Sequence, residues 1–195
     1  MEDDLILKKL TLDHPDFPAV EKLLEEAFPE NERPLTMAQM LEASEQMPGP
    51  LKFELLGIYS DEVPDDFAGF FATINGCPFV YLLFFATCSE KRSKGLGSKA
   101  IQALRGHCGD TPLLFVYESI YEESNNAEQR ERRRSFYLKN GFYETGWFVK
   151  DLGIEYIVAS SQEEVSREML ELLMDAMLAS APSGTPAPEL FRRDW

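Results

Sequence analysis

The stretch Leu82–Leu104, LLFFATCSEKRSKGLGSKAIQAL, constrains the fold more than any other part of the chain. An apolar run suited to a buried strand breaks at Cys88 into polar residues, meets a Gly-x-Gly at Gly95 and Gly97, and resumes with Ala100, Ile101 and Leu104 at helical spacing. A strand that stops, sheds its side chains and starts a helix lets backbone N–H groups converge without Cβ obstruction, at the positive end of the helix dipole. Such a start suits an anion, a phosphate above all. Arg92 and Lys94 add full charges and Ser98 a hydroxyl near the same point. The plainer alternative is a strand-to-helix loop whose glycines only make the turn.

The flanking segments alternate between strand and helix patterns. DLILKKLTL reads as a first strand, and Asp16–Phe28 as a helix with Val20, Leu23, Leu24, Ala27 and Phe28 on one face. TMAQMLEASEQM predicts a second helix, capped by Thr36 and ended by Met47 before PGP. KFELLGIYS, DFAGFFATING and CPFVYLLFFATCS read as three strands joined by the turn-rich DEVPDD and an Asn-Gly turn, an antiparallel meander. Beyond the Gly-x-Gly, SKAIQALRGHCG predicts a helix ended by glycine, TPLLFVYES a strand, and NAEQRERRRSFYLKNG a helix closing at Asn140 and Gly141. FYETGWFVKDLGIEYIVASS predicts a strand pair. QEEVSREMLELLMDAMLAS predicts a last helix burying Val165, Met169, Leu172, Leu173 and Met177.

At 195 residues and 44% hydrophobic content, one substantial core is the expectation. The expected domain spans 1–180, followed by a Pro-rich tail, 181–195, that is flexible unless Leu190, Phe191 and Trp195 dock. No apolar run approaches the ~18 residues that cross a bilayer, and MEDDLILKKL is acidic where a signal peptide is basic, so a cytoplasmic protein without membrane partners is expected. A net charge of −15 disfavours nucleic acid, and the basic cluster Arg130–Arg134, RERRR, is short and set among acids. Cys77, Cys88 and Cys108 lack metal-ligand spacing, so no metal is expected.

Three templates compete for the glycine-rich turn. A Walker loop needs Gly, four residues, then Gly-Lys-Ser/Thr, which KGLGSK lacks. A dinucleotide fold matches G-x-G-x-x-A in GLGSKA, with Glu118 about 20 residues on as the ribose acid. Against it, CSEKRSK intervenes between strand and glycine, and the preceding strands read as antiparallel.

The third template is a family resemblance. ATCSEKRSKGLGSKAIQAL resembles the acyl-CoA motif of the GNAT superfamily of N-acetyltransferases, Arg/Gln-x-x-Gly-x-Gly/Ala after a strand, here Arg92-Ser-Lys-Gly95-Leu-Gly97. Downstream, RRRSFYLKNGFYETG is similar to that superfamily's second signature, a helix with an aromatic and Tyr, then Asn-Gly-Phe entering a strand. The resemblance covers roughly residues 53–147 and is to bacterial members of unassigned substrate. It implies an α/β fold, a mixed and largely antiparallel sheet flanked by helices, with strands splayed where acetyl-CoA enters.

The resemblance also implies roles. Main-chain groups of Phe85, Ala86 and Thr87 meet the pantetheine arm as an added strand would, and backbone amides from Ser93 through Lys94, Gly95, Leu96 and Gly97 to Ser98 hold the pyrophosphate. Asn125 or Asn126 approaches the thiol end or caps a helix. Tyr137, aligned with the signature tyrosine, protonates the departing thiolate; the alternative is a core tyrosine. Some GNAT enzymes carry a Glu in the strand before the cradle, but VYLLFF has no carboxylate, so Glu118 is the candidate base through a bridging water, against a merely solvated strand-end acid. Glu30, Glu32 and Arg33 border the acceptor, with Phe28, Tyr81 and Tyr117 as aromatic walls or as core.

The expected activity is transfer of an acetyl group from acetyl-CoA to a primary amine of a small molecule or peptide by direct attack. A non-catalytic CoA-binding regulatory module is the second reading and a nicotinamide-dependent oxidoreductase the third. Pairing into a homodimer is left open.

Overall fold

Helix caps and glycines place the elements around the Gly-x-Gly turn. The computed structural model describes residues 5–44, 51–60, 65–76, 78–91 and 95–193. By its contacts the chain forms two compact units, Met1–Asp110 and Thr111–Trp195.

The first unit runs β1 (Leu5–Lys9), α1 (Phe17–Ala27), a 3-10 turn (Glu30–Glu32), α2 (Met37–Ser44), β2 (Lys52–Ser60), β3 (Phe67–Asn75), β4 (Val80–Thr87), a 3-10 turn (Ser89–Lys91) and α3 (Leu96–Cys108). Its strands pair in the order β1-β2-β3-β4, each pair antiparallel. The meander read from the apolar runs is therefore present. Leu55, Ile58, Phe70, Phe71 and Ile74 are almost wholly removed from solvent, each side chain contributing about 1.5–3 kcal/mol of burial. Between β3 and β4, Gly69 permits a close approach: a Cβ there would stand 2.3 Å from the Ala86 carbonyl oxygen.

Two devices fix the segment joining α1 to α2. Thr36 and Gln39 form a capping box, the Gln39 amide donating to Thr36 Oγ1 at 3.1 Å and the Thr36 amide to Gln39 Oε1 at 2.9 Å. From α1, the Glu21 carboxylate accepts from the amides of Met37 (3.3 Å) and Ala38 (2.9 Å). The predicted end of α2 at Met47 and PGP lies outside the described residues, as do most of DEVPDD and Cys77.

The second unit runs β5 (Leu113–Glu118), α4 (Ala127–Lys139), β6 (Tyr143–Asp151), β7 (Ile154–Ser160), α5 (Arg167–Ala179) and β8 (Glu189–Arg192). Strand order is β5-β7-β6-β8, again antiparallel in every pair. The α/β class with largely antiparallel strands and flanking helices is as expected.

Two expectations need correction here. The buried stripe of α5 is Leu170, Leu173, Ala176 and Met177, rotated from the predicted one: Val165 precedes the helix, and Met169 and Leu172 are only half-buried. The Ser166 N-cap, which accepts from the Met169 amide at 3.2 Å, starts the helix at Arg167 and so leaves Val165 outside it. The Pro-rich segment is not wholly a loose appendage, because residues 189–192 form β8 against β6. Phe191 stacks on Phe148 with centroids 5.7 Å apart, Arg192 lies 4.5 Å over the Trp147 ring, and Arg193 forms a two-pronged ion pair with buried Glu155 (2.8 and 2.9 Å). Trp195 lies outside the described residues.

Candidate active site

In the first unit the chemistry centres on the start of α3. The helix begins at Leu96, two residues before the predicted start, with Gly95 as N-cap in the left-handed conformation (φ 100°). Among the described residues no side chain caps it. The first intrahelical bond is Lys99 N–H to Gly95 C=O at 2.9 Å, so the amides of Leu96, Gly97 and Ser98 have no partner within the helix. Among the described residues nothing lies within 4 Å of a Cβ placed at Gly95. An uncapped helix start with room beside it fits a phosphate. Arg92, Ser93 and Lys94 lie outside the described residues. Phe85, Ala86 and Thr87 stand at the end of β4, in register with Phe71, Phe70 and Gly69 of β3.

In the second unit a cluster forms between β5, α4 and β6. Tyr137 packs its ring on Phe115 (4.4 Å between centroids), Tyr117 (5.5 Å) and Phe142 (5.9 Å). Its hydroxyl makes no hydrogen bond among the described residues. Burial pushes the phenol up to about 12, with the Arg133 guanidinium working against that rise. The Tyr137 ring thus belongs to the aromatic core, one of the two places the sequence allowed it.

Glu118 is not the solvated base expected. It is 5% exposed and both its oxygens are engaged: Arg130 Nη2 donates to Oε1 at 2.7 Å, Arg133 Nη1 to Oε2 at 2.9 Å, and Asn126 Nδ2 lies 3.4 Å from each. Asn126 is the N-cap residue of α4, but its side chain turns to Glu118 and to the Ser124 hydroxyl and makes no cap hydrogen bond. Tyr117 also moves from the acceptor walls to the core. It is 3% exposed, and its hydroxyl donates to Glu144 Oε1 at 2.7 Å, which also accepts from Arg134 Nε at 2.6 Å. Burial pushes the Glu144 carboxyl up, but the hydrogen bonds from Arg134 and Tyr117 and the Arg134 charge outweigh it, leaving it below the usual value.

Most of the basic cluster is therefore tied into ion pairs with neighbouring strands. Arg130 and Arg133 hold Glu118 and Arg134 holds Glu144, while Arg132 pairs with Glu128 on the exposed side of the helix. Sequence reading missed this role, although a signal was present: Arg130, Arg133, Arg134 and Tyr137 fall at helical spacing on one face of α4. That stripe reads as polar, yet arginine stems cover apolar surface while their heads find carboxylates.

The acceptor-side residues are partly together. Phe28 meets Phe84 edge-on at 4.8 Å, and Arg33 Nε donates to the Phe28 carbonyl at 3.0 Å, closing the turn that carries Glu30 and Glu32. Glu30 is exposed and Glu32 half-buried. Tyr81, 3% exposed on β4, is a core residue, because its strand is buried on both faces at that point. Among the described residues no group of three or more His, Cys, Asp or Glu is placed to hold a metal, and no helix is long and apolar enough to cross a membrane.

No family model matches the chain, and no curated protein matches its sequence. Solved structures do. A protein from Bacteroides thetaiotaomicron described as a GNAT-family acetyltransferase is 22% identical, with 88% of this chain and 94% of that one covered at a TM-score of 0.65. A spermidine N-acetyltransferase from Vibrio cholerae, in complex with CoA and spermine, is 11% identical over 80% and 94% at 0.57. The ribosomal-protein-S18-alanine N-acetyltransferase from Escherichia coli is 17% identical over 84% and 97% at 0.54. The motifs that point to the acyl-CoA turn thus sit in a chain with the fold of the GNAT acetyltransferases.

Proposed function

We propose that the protein is an N-acetyltransferase that moves the acetyl group of acetyl-CoA directly to a primary amine of a small molecule or peptide. The observation that carries this reading is the uncapped start of α3 behind Gly95, on a fold shared with acetyltransferases. The complex of the Vibrio cholerae enzyme with CoA and spermine supports the same pairing of CoA with an amine. In this reading the amides of Leu96, Gly97 and Ser98, with Arg92, Ser93 and Lys94, hold the pyrophosphate. Main-chain groups of Phe85–Thr87 align the pantetheine arm. Tyr137 gives its proton to the departing thiolate. Both Glu118 oxygens are engaged by Arg130 and Arg133, so the amine passes its proton to water.

Two observations favour a second reading, a CoA-binding module without turnover: Glu118 is fully engaged and the β4 segment Val80–Phe85 holds no carboxylate. The antiparallel pairing throughout the first unit speaks against the nicotinamide reading, which needs parallel strands around its glycine turn. Titration calorimetry with acetyl-CoA, followed by thiol release across a panel of primary amines, decides among them. Binding with thiol release is expected. Binding without release from any amine favours the regulatory module, and a melting temperature raised by NAD but not by acetyl-CoA overturns both.

A further inference from the structure

Tyr137 and Arg133 lie one turn apart on α4, and the carboxylate holding Arg133 belongs to a different element, the end of β5. Arg133 is 28% exposed on its side chain, yet its Nη1 is fixed at 2.9 Å from Glu118 Oε2. Glu118 is itself fixed by Arg130, which also donates from Nη1 to the Ser119 carbonyl at 2.8 Å and keeps its Nε buried without a partner among the described residues. One guanidinium suffices to neutralise Glu118, and Arg130 is the more buried of the two. The second, Arg133, therefore carries a positive charge beyond what the carboxylate requires, placed beside the face of α4 that bears Tyr137.

We propose that Arg133, held in place by Glu118, is a positioning residue for Tyr137 whose guanidinium stabilises the phenolate formed when Tyr137 gives up its proton. This rests on the acetyltransferase reading above. As the amine nitrogen attacks the thioester carbonyl carbon, the C–N bond forms, the C–S bond breaks and its electron pair leaves on sulfur. Tyr137 passes its proton to that sulfur and becomes a phenolate, which regains a proton from solvent, and the surplus proton of the amine goes to solvent. A phenol in an apolar setting is a weak acid, since burial opposes the charged form. Arg133 opposes that effect, and among the described residues no carboxylate hydrogen-bonds Tyr137. The groups facing Tyr137 from β5 are Phe115 and Tyr117, and Phe142 lies just past α4. Tyr117 is tied to Glu144, whose charge Arg134 matches.

The test uses the full chain with 3-fluorotyrosine in place of tyrosine, and fluorine NMR tracks the phenol titrations without acetyl-CoA or any amine. Loss of one resonance in Tyr137→Phe assigns Tyr137. In Arg133→Gln the Tyr137 titration is expected to move to higher pH by about one unit, while Arg133→Lys stays near the parent protein. In parallel, thiol release from acetyl-CoA with the amine panel should fall about tenfold in kcat for Arg133→Gln, with KM for acetyl-CoA unchanged, and Arg133→Lys should restore most of it. In a Tyr137→Phe background the Arg133 substitution should have no further effect on kcat. An unmoved Tyr137 titration in a folded Arg133→Gln, or a loss of kcat that persists in the Tyr137→Phe background, overturns the inference. Absence of thiol release from the parent protein instead overturns the acetyltransferase reading and, with it, the catalytic half of this one, while the titration still decides whether Arg133 acts on Tyr137.

Discussion

Helices α3 and α4 are each 13 residues long and each comes after a strand, yet they are built on opposite principles. α3 buries Ala100, Ile101 and Leu104 and leaves its N-terminal amides without a cap, so its packing is apolar and its free polar groups stand at one end. α4 buries Arg130 and docks through ion pairs and an aromatic cluster; Glu118 and Glu144 absorb its arginines, and one hydroxyl, that of Tyr137, is left over. The two helices therefore expose chemistry in different ways. α3 offers backbone amides that no described side chain caps, and α4 offers the Tyr137 hydroxyl, which stands outside its ion pairs.

Four experiments probe this contrast. The largest effect is expected for Tyr137→Phe, which keeps the ring among Phe115, Tyr117 and Phe142 and removes only the hydroxyl. Turnover of acetyl-CoA with an accepted amine should fall about 10²–10⁴-fold, with melting temperature and acetyl-CoA affinity near those of the parent. Parent-like turnover would leave the hydroxyl without a role in the reaction.

Next comes Glu118→Ala, which strips two guanidiniums of a shared, buried partner. Breaking such a network typically costs about 3–5 kcal/mol, so denaturant unfolding should show a loss on that scale. A loss under about 1 kcal/mol would mean that α4 docks through its aromatics alone, by the same apolar means as α3.

For α3 the corresponding test is Gly95→Val. The left-handed backbone at Gly95 disfavours a branched side chain by about 1–2 kcal/mol, and the new side chain would stand beside the open amides. Acetyl-CoA affinity should fall roughly 10–100-fold by calorimetry, the worth of one charge-assisted hydrogen bond. Unchanged affinity in a folded variant would remove the cradle.

The smallest effect concerns Glu144, whose folded carboxyl titrates below its ordinary value of 4.5. A depressed carboxyl contributes stability that is complete above the unfolded value and is lost as pH falls through the folded one. Melting temperature of the parent should therefore drop on acidification below about pH 4.5 more steeply than that of Glu144→Gln. Parallel curves would show that Arg134 and Tyr117 do not hold Glu144 as the geometry indicates.

Much of the fold was legible because apolar periodicity is written locally. The strands Lys52–Ser60 and Val80–Thr87 and the helix Phe17–Ala27 lie where their patterns predict, and Gly95 announced the turn to α3 by its freedom from Cβ. The helix start behind Gly95 was legible for the same reason, since glycines before a helix are a sequence-local feature. The features that escaped depend on pairings between distant segments. Glu118 looks identical in sequence whether it faces water or two arginines 12 and 15 residues on, and only the packing of α4 on β5 decides. Tyr81 and Tyr117 could be read two ways from sequence, since aromatic residues serve pocket walls and cores equally well, and the structure buries both. The strand at 189–192 was hidden by the prolines before it, which mark a connection without revealing which element the chain enters next.

β8 also governs how the protein behaves in concentrated solution. Without it, the backbone of β6 from Trp147 to Lys150 would present a row of unpaired donors and acceptors beside the apolar face of Phe148. Such a row is a template on which another copy can lay a strand of its own. The residues after α5 thus act as a built-in guard against self-templating, clasped shut by Arg193 on Glu155. Trimming the chain after Ala181 should therefore raise the tendency to aggregate as concentration rises, read by light scattering.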